Sequence, residues 1–510
     1  MGDEEMKIDF IITTDRSMMT NHHGYEFIGF MTTSPPIGIP ESIWNWISMP
    51  RPKVDEYGRP VEAPYGLRKI EASLQDAGYD AYVVDPDYID RYIDSSKAIL
   101  IGHHDYFALG PPSSEWWVIT GREPVNSRSF KRFMNSKAMV KARENGLKFI
   151  VGGPAAWQWL WCPELIDLWK IDAIIDGEAE KVIVDIADRI LNNEPLPLYT
   201  YVGVDDVPSI DEIPIIKHAS VNGLVEIMRG CPRRCKFCSV TLRPLRHIPV
   251  EKIIKEIEVN LAYGVNGAIL HSEDVFLYGA DGIIPRPEPI LKLHKEVMER
   301  VYSIAWSHVS LATIKYSEEK YRLVSKVMDI IYDKQDYIGV EVGIETGSRK
   351  LAKKIMPAKA APYNPDLWPD IVIDAFRIMS ENNIIPASTL IVGLPGEDEE
   401  DIIETIELIE RLREYPSLIV PMYFVPMGYF KDRSWYLKEK IEGPLRELGE
   451  ICLKHDFYWA EKILTKYYIK TSLKNPSSYI LKILLRLLLR ILRTMAGVKT
   501  EAHEEKSPRK

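Results

Sequence analysis

The stretch VEIMRGCPRRCKFCSV, residues 225–240, determines how this sequence is interpreted. It begins as an apolar, β-branched strand, and after Gly230 it continues as a loop that carries Cys231, Cys235 and Cys238. Three thiolates on one short loop can bind three irons of a cubane iron-sulfur cluster and leave its fourth iron open. Structural zinc sites instead present four ligands in paired groups, and no fourth Cys or His follows at a suitable spacing. The spacing therefore predicts a 4Fe-4S cluster on this loop.

The same loop, with Phe237 directly before its last cysteine, resembles the signature of the radical S-adenosylmethionine (SAM) family. In that family the open iron chelates SAM, and one electron from the cluster releases a 5′-deoxyadenosyl radical that abstracts hydrogen from unactivated C–H bonds. The resemblance implies a 4Fe-4S cluster and SAM as cofactors, three catalytic cysteines and a cofactor contact for Phe237. It also implies a reductase or ferredoxin as electron donor. Arg229 and Lys236 are expected either to stabilise the anionic cluster or to be exposed loop charges.

Two later segments resemble the parts of this family that bind SAM. GAILHSED, residues 267–274, predicts a strand that ends in acids, and the resemblance implies that Glu273 holds the SAM amino group, with Asp274 as the neighbouring candidate. GIETGS resembles a pattern near the SAM ribose, which implies cofactor-binding roles for Glu345 and Ser348. The Thr-Gly-Ser turn also places Ser348 where a serine caps the following helix.

A third segment, IIPASTLIVGLPGE at residues 384–397, resembles the strand and turn that pack along adenine in this family. The resemblance implies cofactor contacts from Gly393 and Gly396. Because the four segments follow one another in the family's order, they imply a partial (β/α) barrel with its cofactors at the carboxyl ends of the strands. His308, on a strand between these segments, is expected to be a buried structural histidine rather than a substrate contact.

From its start to about residue 200 the chain alternates apolar runs with helical patterns, which predicts a doubly wound parallel sheet. LKFIVGGPAAW, residues 147–157, places Gly152 and Gly153 at the carboxyl end of a strand, where such sheets bind ligands. Over residues 60–200 this region resembles the cobalamin-binding domain of one class of radical SAM enzymes, which implies cobalamin contacts for both glycines. A Rossmann-like domain without a cofactor, in which the glycines form a tight turn, is the alternative.

This region departs from other cobalamin proteins in one respect. The Asp-x-His-x-x-Gly motif that supplies a histidine to cobalt is absent, and His103 and His104, at a predicted strand end, do not fit its spacing. The resemblance therefore implies cobalamin without a protein histidine on cobalt. Trp157, Trp159 and Trp161 are expected to pack in the core rather than against a planar ligand.

The predicted fold is α/β, with an N-terminal Rossmann-like doubly wound domain of the cobalamin-binding type, a partial (β/α) radical SAM barrel and a C-terminal helical extension. The predicted boundaries are 1–205 for the Rossmann-like domain, 206–222 for a linker, 223–428 for the barrel, 429–477 for a helical cap, 478–497 for an amphipathic basic membrane-surface helix and 498–510 for a disordered tail.

The C-terminal helix is predicted from SYILKILLRLLLRILRTM, which begins with a plausible N-cap and contains no helix breaker. It places Lys482, Arg486, Arg490 and Arg493 in one basic stripe on a leucine-rich surface. Four charges disfavour a helix that spans a membrane and favour one that lies in the membrane interface. A helix that docks on the protein's own core or on a partner subunit is the alternative.

The composition limits the class of protein. A net charge of −10 argues against a general nucleic-acid binder. Only five cysteines occur and three of them lie within eight residues, which does not suit a disulfide framework and indicates a reducing compartment. The N-terminus lacks the pattern of a signal peptide. We therefore expect a cytoplasmic protein that is peripheral on the inner face of the cell membrane.

A radical enzyme on a membrane surface is expected to act on lipid chains, whose saturated C–H bonds resist ionic chemistry. The chain resembles archaeal lipid-modifying members of the cobalamin-domain radical SAM family, which close cyclopentane rings in tetraether lipids or attach calditol. The first alternative is a cobalamin-dependent C- or P-methyltransferase. An alternative of another class is a membrane-associated Fe-S redox or sensor protein. A methylthiotransferase is disfavoured because no second trio of cysteines is present.

Overall fold

The computed structural model describes residues 7–24, 29, 40–430, 442–468 and 490. The predicted basic helix at 478–497 and the tail at 498–510 lie outside the described residues, apart from Arg490. Within the described part of the chain, no helix is long and apolar enough to cross a membrane.

The N-terminal region is built on the strands β1 (Phe10–Thr13), β2 (Ala81–Val83), β3 (Ala98–Gly102), β4 (Lys148–Gly152), β5 (Ala173–Asp176) and β6 (Tyr199–Tyr201). They form one parallel sheet in the order β2-β1-β3-β4-β5-β6. The strand β1 is buried along its whole length, as expected for a parallel sheet covered on both faces. The chain passes from β1 to β2 and then crosses back to β3, so β1 and β3 enclose the switch point where doubly wound sheets bind ligands.

Helices cover both faces of this sheet. In the first long helix, Leu67 and Leu74 are buried against the sheet, and Gly78, with a φ of +92°, ends the turn that follows. The described helices of this region are α1 (Glu41–Ser48), α2 (Tyr65–Asp76), α3 (Ser113–Thr120), α4 (Val125–Met134), α5 (Lys137–Glu144), α6 (Pro163–Trp169) and α7 (Val182–Leu191).

The second region contains the strands β7 (Leu224–Glu226), β8 (Met228–Arg229), β9 (Arg246–His247), β10 (Gly267–His271), β11 (Ser303–Trp306), β12 (Ile338–Glu345), β13 (Ile384–Val392) and β14 (Leu418–Tyr423). The strands β7, β10 and β11 form one parallel sheet and β12, β13 and β14 form another. A parallel bridge between His308 and Glu341 joins the two sheets. The strands therefore follow one another in chain order around a partial barrel, and the antiparallel pair β8-β9 flanks the cysteine loop.

Alternation along β12 separates the outside of the barrel from its lumen. Val340, Val342 and Ile344 are buried in the core under the helices, so Glu341 and Glu345 face the lumen. The helices outside the barrel are α8 (Val250–Ala262), α9 (Pro287–Met298), α10 (Leu311–Tyr321), α11 (Leu323–Tyr332), α12 (Arg349–Ile355), α13 (Trp368–Glu381), α14 (Glu399–Arg411) and α15 (Pro444–Ile463). The predicted α/β architecture is confirmed, including the helical part after the barrel.

The two regions contact each other at both ends of the barrel's arc of strands. On the β7 side, Tyr65 and Lys69 of α2 bond to Glu256 of α8, at 2.7 and 2.5 Å. On the β14 side, the backbone N–H of Tyr423 donates to Glu115 of α3 at 2.6 Å. The helices α2 and α3 of the N-terminal region thus contact the barrel region at α8 and at the end of β14.

Candidate active site

The cysteine loop is shaped by two glycines. Gly230 begins it with a φ of +80° and approaches the carbonyl of Pro244 too closely for a side chain. Within the loop, Cys238 N donates to Cys235 O at 3.2 Å. Gly428, from the segment after β14, lies over the loop, where a Cβ would be 2.8 Å from Cys238 O. The loop is therefore folded back on itself and covered from the β14 side.

The thiols of this loop lie in a desolvated environment. Burial raises the pKa of Cys231 and Cys238 to about 12, and it also raises the pKa of Cys235. The three thiols influence one another electrostatically, yet no three His, Cys, Asp or Glu side chains of the described residues are grouped to hold a single metal ion. A cubane cluster binds each thiolate through a different iron. Three thiols on one loop are therefore the donor set that such a cluster needs.

A largely buried ion pair lies beside the cysteine loop. Lys359 Nζ is 2.5 Å from Glu345 Oε1, and Thr389 Oγ1 donates to the same carboxylate at 3.3 Å. Burial alone would lower the pKa of Lys359, but Glu345 and Cys235 outweigh it and raise the pKa. The ammonium also lies 5.9 Å from the centre of the Phe237 ring. The structure thus brings Phe237 and Glu345 to the loop, and it adds Lys359, which no motif had indicated.

The two acids after β10 have different environments. Glu273 is half-buried, and its charge contributes to the raised pKa of Cys231 and Cys238. Among the described residues, its carboxylate makes no hydrogen bond or ion pair. Asp274 is fully buried and accepts a hydrogen bond from Thr313 Oγ1 at 2.6 Å. Glu273 is therefore the carboxylate open to a ligand, and Asp274 is structural.

Ser348 is used by the fold rather than by a ligand. It is fully buried, its Oγ accepts a hydrogen bond from Leu351 N, and it donates to Asp401 at 2.6 Å. A hydroxyl with no exposed surface does not reach a cofactor, so we correct its predicted role to capping of α12. Gly393 and Gly396 have φ values of +82° and +89°, a left-handed backbone conformation that glycine adopts without strain. Their adenine contacts stay predictions.

The prediction of a buried structural role for His308 is wrong. Its side chain is 37% exposed in the lumen, and its Nε2 lies 2.9 Å from Glu341 Oε2. Burial alone would lower the pKa of His308, but Glu341 outweighs it and raises the pKa to about 9. The His271 ring lies 6.3 Å away, so two histidines face this part of the lumen. The structural histidine is His294, which is fully buried and accepts a hydrogen bond from Trp306 Nε1 at 3.0 Å.

At the carboxyl edge of the N-terminal sheet, the two predicted glycines pack against protein. A Cβ on Gly153, whose φ is +97°, would lie 2.9 Å from His103 O, and one on Gly152 would lie 3.3 Å from a carbonyl of β5. Packing alone explains this pair, and the predicted cobalamin contacts stay predictions. Trp159 is buried in an aromatic core as expected, whereas Trp161 is half-exposed, against expectation.

Two histidines follow β3 at the switch point of that sheet. His103 is buried, and its Nδ1 accepts a hydrogen bond from Asp105 N at 2.7 Å, so its proton is on Nε2, which donates to Asp15 at 2.9 Å. Burial alone would raise the pKa of Asp15, but His103 outweighs it and lowers the pKa. His104 is exposed, yet the surrounding protein lowers its pKa to about 4. With this lowered pKa the imidazole of His104 is neutral at pH 7.

Arg229 joins the two regions next to the cysteines. Its guanidinium lies 2.7 Å from Glu178 and 2.6 Å from Glu180, which follow β5, and 2.7 Å from Glu226 on β7. Since three carboxylates neutralise it, Arg229 does not supply positive charge to a cluster, and since it is buried it is not an exposed loop charge, so both expectations for this residue are wrong. Lys236 donates to a backbone carbonyl at the surface.

Comparison with known families identifies the barrel region. Residues 225–409 match the radical SAM superfamily. This range includes the three cysteines of the loop, Glu273, Glu345 and the turn at 393–396. Residues 225–409 are therefore a radical SAM domain, and the predicted 4Fe-4S cluster and SAM are the cofactors of this domain.

Two relatives extend the likeness over most of the chain. A protein of Pyrococcus horikoshii described as an uncharacterised methyltransferase is 23% identical over 395 residues, which covers 70% of this chain and 79% of the relative. A tRNA-2-methylthio-N(6)-dimethylallyladenosine synthase of Fusobacterium nucleatum is 22% identical over 419 residues, covering 80% of this chain and 85% of the relative. Both names belong to group-transfer enzymes rather than to lipid-modifying ones.

A solved structure with a similar fold is the radical SAM methyltransferase TsrM of Kitasatospora setae. Its form with tryptophan substrate and a SAM analogue has a TM-score of 0.51 at 12% identity, covering 82% of this chain and 73% of TsrM. The form with cobalamin and a 4Fe-4S cluster has a TM-score of 0.50, covering 83% and 77%. At this identity the likeness shows a shared fold, and its coverage includes both the N-terminal sheet and the barrel.

Proposed function

We propose that this chain is a cobalamin-dependent radical SAM methyltransferase that acts on carbon or phosphorus. The observation that carries the proposal is the way the two sheets meet. The carboxyl edge of the N-terminal sheet lies against the mouth of the barrel, and Arg229 links that edge to the cysteine loop. The methyltransferase relative and the fold of TsrM, which was solved with cobalamin, support the same class.

The side chains at this junction fit the two cofactors. The sheet side presents the exposed, neutral imidazole of His104, and the barrel side presents the desolvated thiols and the open carboxylate of Glu273. When bound, SAM would supply the methyl group and the 5′-deoxyadenosyl radical, and cobalamin would carry the methyl group. Since both carboxyl edges face the same cleft, the two cofactors would share one enclosed space.

Different residues of the chain would have different roles in this cleft. Cys231, Cys235 and Cys238 would hold the cluster, and Glu273 would bind the SAM ammonium. The ion pair of Glu345 and Lys359 keeps a fixed cation beside the anionic cluster. The pair of His308 and Glu341 lines the lumen and offers a substrate both a donor and an acceptor. These last two side chains are the substrate contacts that we propose.

The test is an anaerobic reaction of the reconstituted protein with SAM, a reductant and cob(I)alamin, followed by mass spectrometry of the nucleosides. Methyl transfer to cobalamin releases S-adenosylhomocysteine, and radical formation releases 5′-deoxyadenosine, so we expect both products. Cys235→Ala should remove 5′-deoxyadenosine and keep cobalamin binding. Formation of 5′-deoxyadenosine without any S-adenosylhomocysteine would contradict the methyltransferase proposal.

A second candidate is the modification of a membrane lipid by hydrogen abstraction. It is favoured by the basic stripe of Lys482, Arg486, Arg490 and Arg493 in the sequence, which suits a membrane surface. Flotation with anionic vesicles, comparing the full chain with a chain ending at residue 477, tests the membrane association. Equal flotation of the two chains would remove the reason for a lipid substrate. In either function a reductase or ferredoxin would supply the electron.

A further inference from the structure

We infer that Arg233 is a positioning residue that fixes residues 358–361, the Lys359 segment, against the barrel and so holds the ammonium of Lys359 beside the cysteine loop. Arg233 lies on that loop between Cys231 and Cys235, but its side chain is only 3% exposed. The inference concerns the radical SAM domain and goes beyond the proposed methyl transfer, since it holds for any reaction that this cysteine loop supports.

The first reason is the set of bonds from one nitrogen of Arg233 to the Lys359 segment. Arg233 Nη1 donates to backbone carbonyl oxygens at 3.0, 2.9 and 3.1 Å, those of Ala358, Lys359 and Ala361. Three carbonyls within four consecutive residues accept from the same nitrogen. The guanidinium therefore fixes the backbone of this segment, and the segment has no other single donor that reaches all three carbonyls within the part of the chain that the structure describes.

The second reason is that the other nitrogen of Arg233 is anchored on the barrel. Arg233 Nη2 donates to Thr313 Oγ1 of α10, and Thr313 in turn donates to Asp274, which follows β10, at 2.6 Å. Asp274 Oδ2 also lies 3.5 Å from Nη2, and both partners are fully buried. A planar guanidinium keeps its two terminal nitrogens in a fixed relation. Arg233 therefore links the buried end of β10 rigidly to the Lys359 segment.

The third reason is what this segment carries. Its sequence is AKAA, so Lys359 is its one charged residue, and bonds to its backbone can act on the site only through that side chain. Lys359 Nζ lies 2.5 Å from Glu345 Oε1 and 5.9 Å from the centre of the Phe237 ring on the cysteine loop. Because a Coulomb interaction weakens with distance, the position of this ammonium affects how easily an anionic cluster on the loop accepts an electron.

The experiment is a spectroscopic redox titration of the full-length protein with its reconstituted cluster, arranged as a double-mutant cycle of Arg233→Lys and Lys359→Met. Arg233→Lys keeps the charge but loses the planar group that links the two partners. We expect it to lower the reduction potential, in the same direction as Lys359→Met and by a smaller shift. In the double variant we expect the potential of Lys359→Met alone, because Arg233 then has no ammonium to position.

A second variant leaves Arg233 itself in place. Thr313→Val keeps the size of the side chain and removes the hydroxyl that anchors Arg233 Nη2. We expect a shift of the potential in the same direction, and this variant decides the question if Arg233→Lys binds no iron.

The matched control is Arg68→Lys in the N-terminal region. The Arg68 side chain is 1% exposed and donates to two backbone carbonyls and one carboxylate, those of Ala219, Pro60 and Glu71. This change should lower the free energy of unfolding and leave the reduction potential at the wild-type value. An equal shift of the potential in Arg68→Lys would show that any buried arginine produces it, and would overturn the inference.

Two further results would overturn it. One is a wild-type potential in both Arg233→Lys and Thr313→Val. The other is an Arg233→Lys shift of the same size with and without Lys359, which would mean that Arg233 acts on the cluster by its own charge. Failure to release S-adenosylhomocysteine would contradict the proposed methyl transfer and leave this inference standing.

Discussion

Two carboxyl edges of parallel strands meet in this molecule, and they use their polar groups in opposite ways. At the edge of the N-terminal sheet, Asp15 and His103 are buried and satisfied by each other, and His104 stays exposed. At the mouth of the barrel, the cysteine thiols form no disulfide, and the carboxylate of Glu273 makes no hydrogen bond or ion pair within the part of the chain that the structure describes. The same arrangement of parallel strands therefore provides a rigid support at the edge of the N-terminal sheet and a reactive site at the edge of the barrel.

Among the changes that distinguish the two edges, Cys235→Ala is expected to have the largest effect. It removes one of three ligands on the barrel side, so the variant should lose the cluster and all 5′-deoxyadenosine formation. Iron content and product analysis measure this. Cys162→Ala is the control, since Cys162 is a free thiol in the N-terminal region. Equal iron loss in the two variants would contradict the assignment of the loop.

The contact between the edges is tested by Arg229→Met. The change leaves the buried carboxylates Glu178 and Glu180 and the partly buried Glu226 without this cation, so we expect a loss of about 3–5 kcal/mol in the free energy of unfolding. Denaturant unfolding measures it. Arg189→Met, which breaks an exposed pair, should leave the free energy of unfolding nearly unchanged. Similar values for both variants would show that the junction is not a stabilising contact.

The structural character of the sheet edge is tested by Asp15→Ala. This change leaves the His103 Nε2–H and the Ser17 hydroxyl without their acceptor, which should cost roughly 1–3 kcal/mol of stability. The iron content of the folded variant should stay at the wild-type level, because the cysteine loop is on the other edge. A wild-type free energy of unfolding together with loss of iron would show that Asp15 supports the cluster rather than the structure of the sheet edge.

On the barrel side, Lys359→Met is expected to act on the cluster rather than on stability alone. Removal of a buried cation near an anionic cluster, with Glu345 left unpaired, should make the cluster harder to reduce, by on the order of tens of millivolts. A spectroscopic redox titration measures the potential. Lys359→Arg keeps the charge and should retain the wild-type potential. An unchanged potential in Lys359→Met would mean that the ion pair only supports the fold.

The smallest effect is a pH-dependent one in the lumen. Since the pKa of His308 is raised to about 9, its pairing with Glu341 stabilises the protein fully below the unfolded value near 6.5 and not at all above 9. Solvent screening of this half-exposed pair limits the contribution to about 1 kcal/mol. Glu341→Gln should therefore be less stable than wild type at pH 6 and equal at pH 9.5, measured by denaturant unfolding. A difference that grows with pH would contradict the pairing.

The features that could be predicted from the sequence are those set by local spacing. Consecutive residues determine three such features, and the structure contains all of them: the three cysteines on one loop, the alternation of strands and helices, and the glycine turn at 393–396. The position of Glu341 in the lumen could also have been predicted from the sequence. It lies four residues before Glu345 on one strand, and alternation places both on the same face.

Other parts of the site depend on distant segments and left no local signal. Lys359 reaches Glu345 from a short segment after α12 that has no motif. His308 was expected to be a buried structural histidine, but it pairs with Glu341 of β12 in the lumen. Ser348 matched a pattern that in this chain serves only to cap a helix.

The junction at Arg229 has a consequence for how the two regions are oriented. Arg229 lies 2.7 Å from Glu178 and 2.6 Å from Glu180 of the N-terminal region, and 2.7 Å from Glu226 on β7. The guanidinium reaches all three carboxylates only when the two regions are docked in this one way, and an altered docking would leave buried charges without partners. A single side chain next to the cysteine loop therefore specifies the orientation in which the two carboxyl edges face each other.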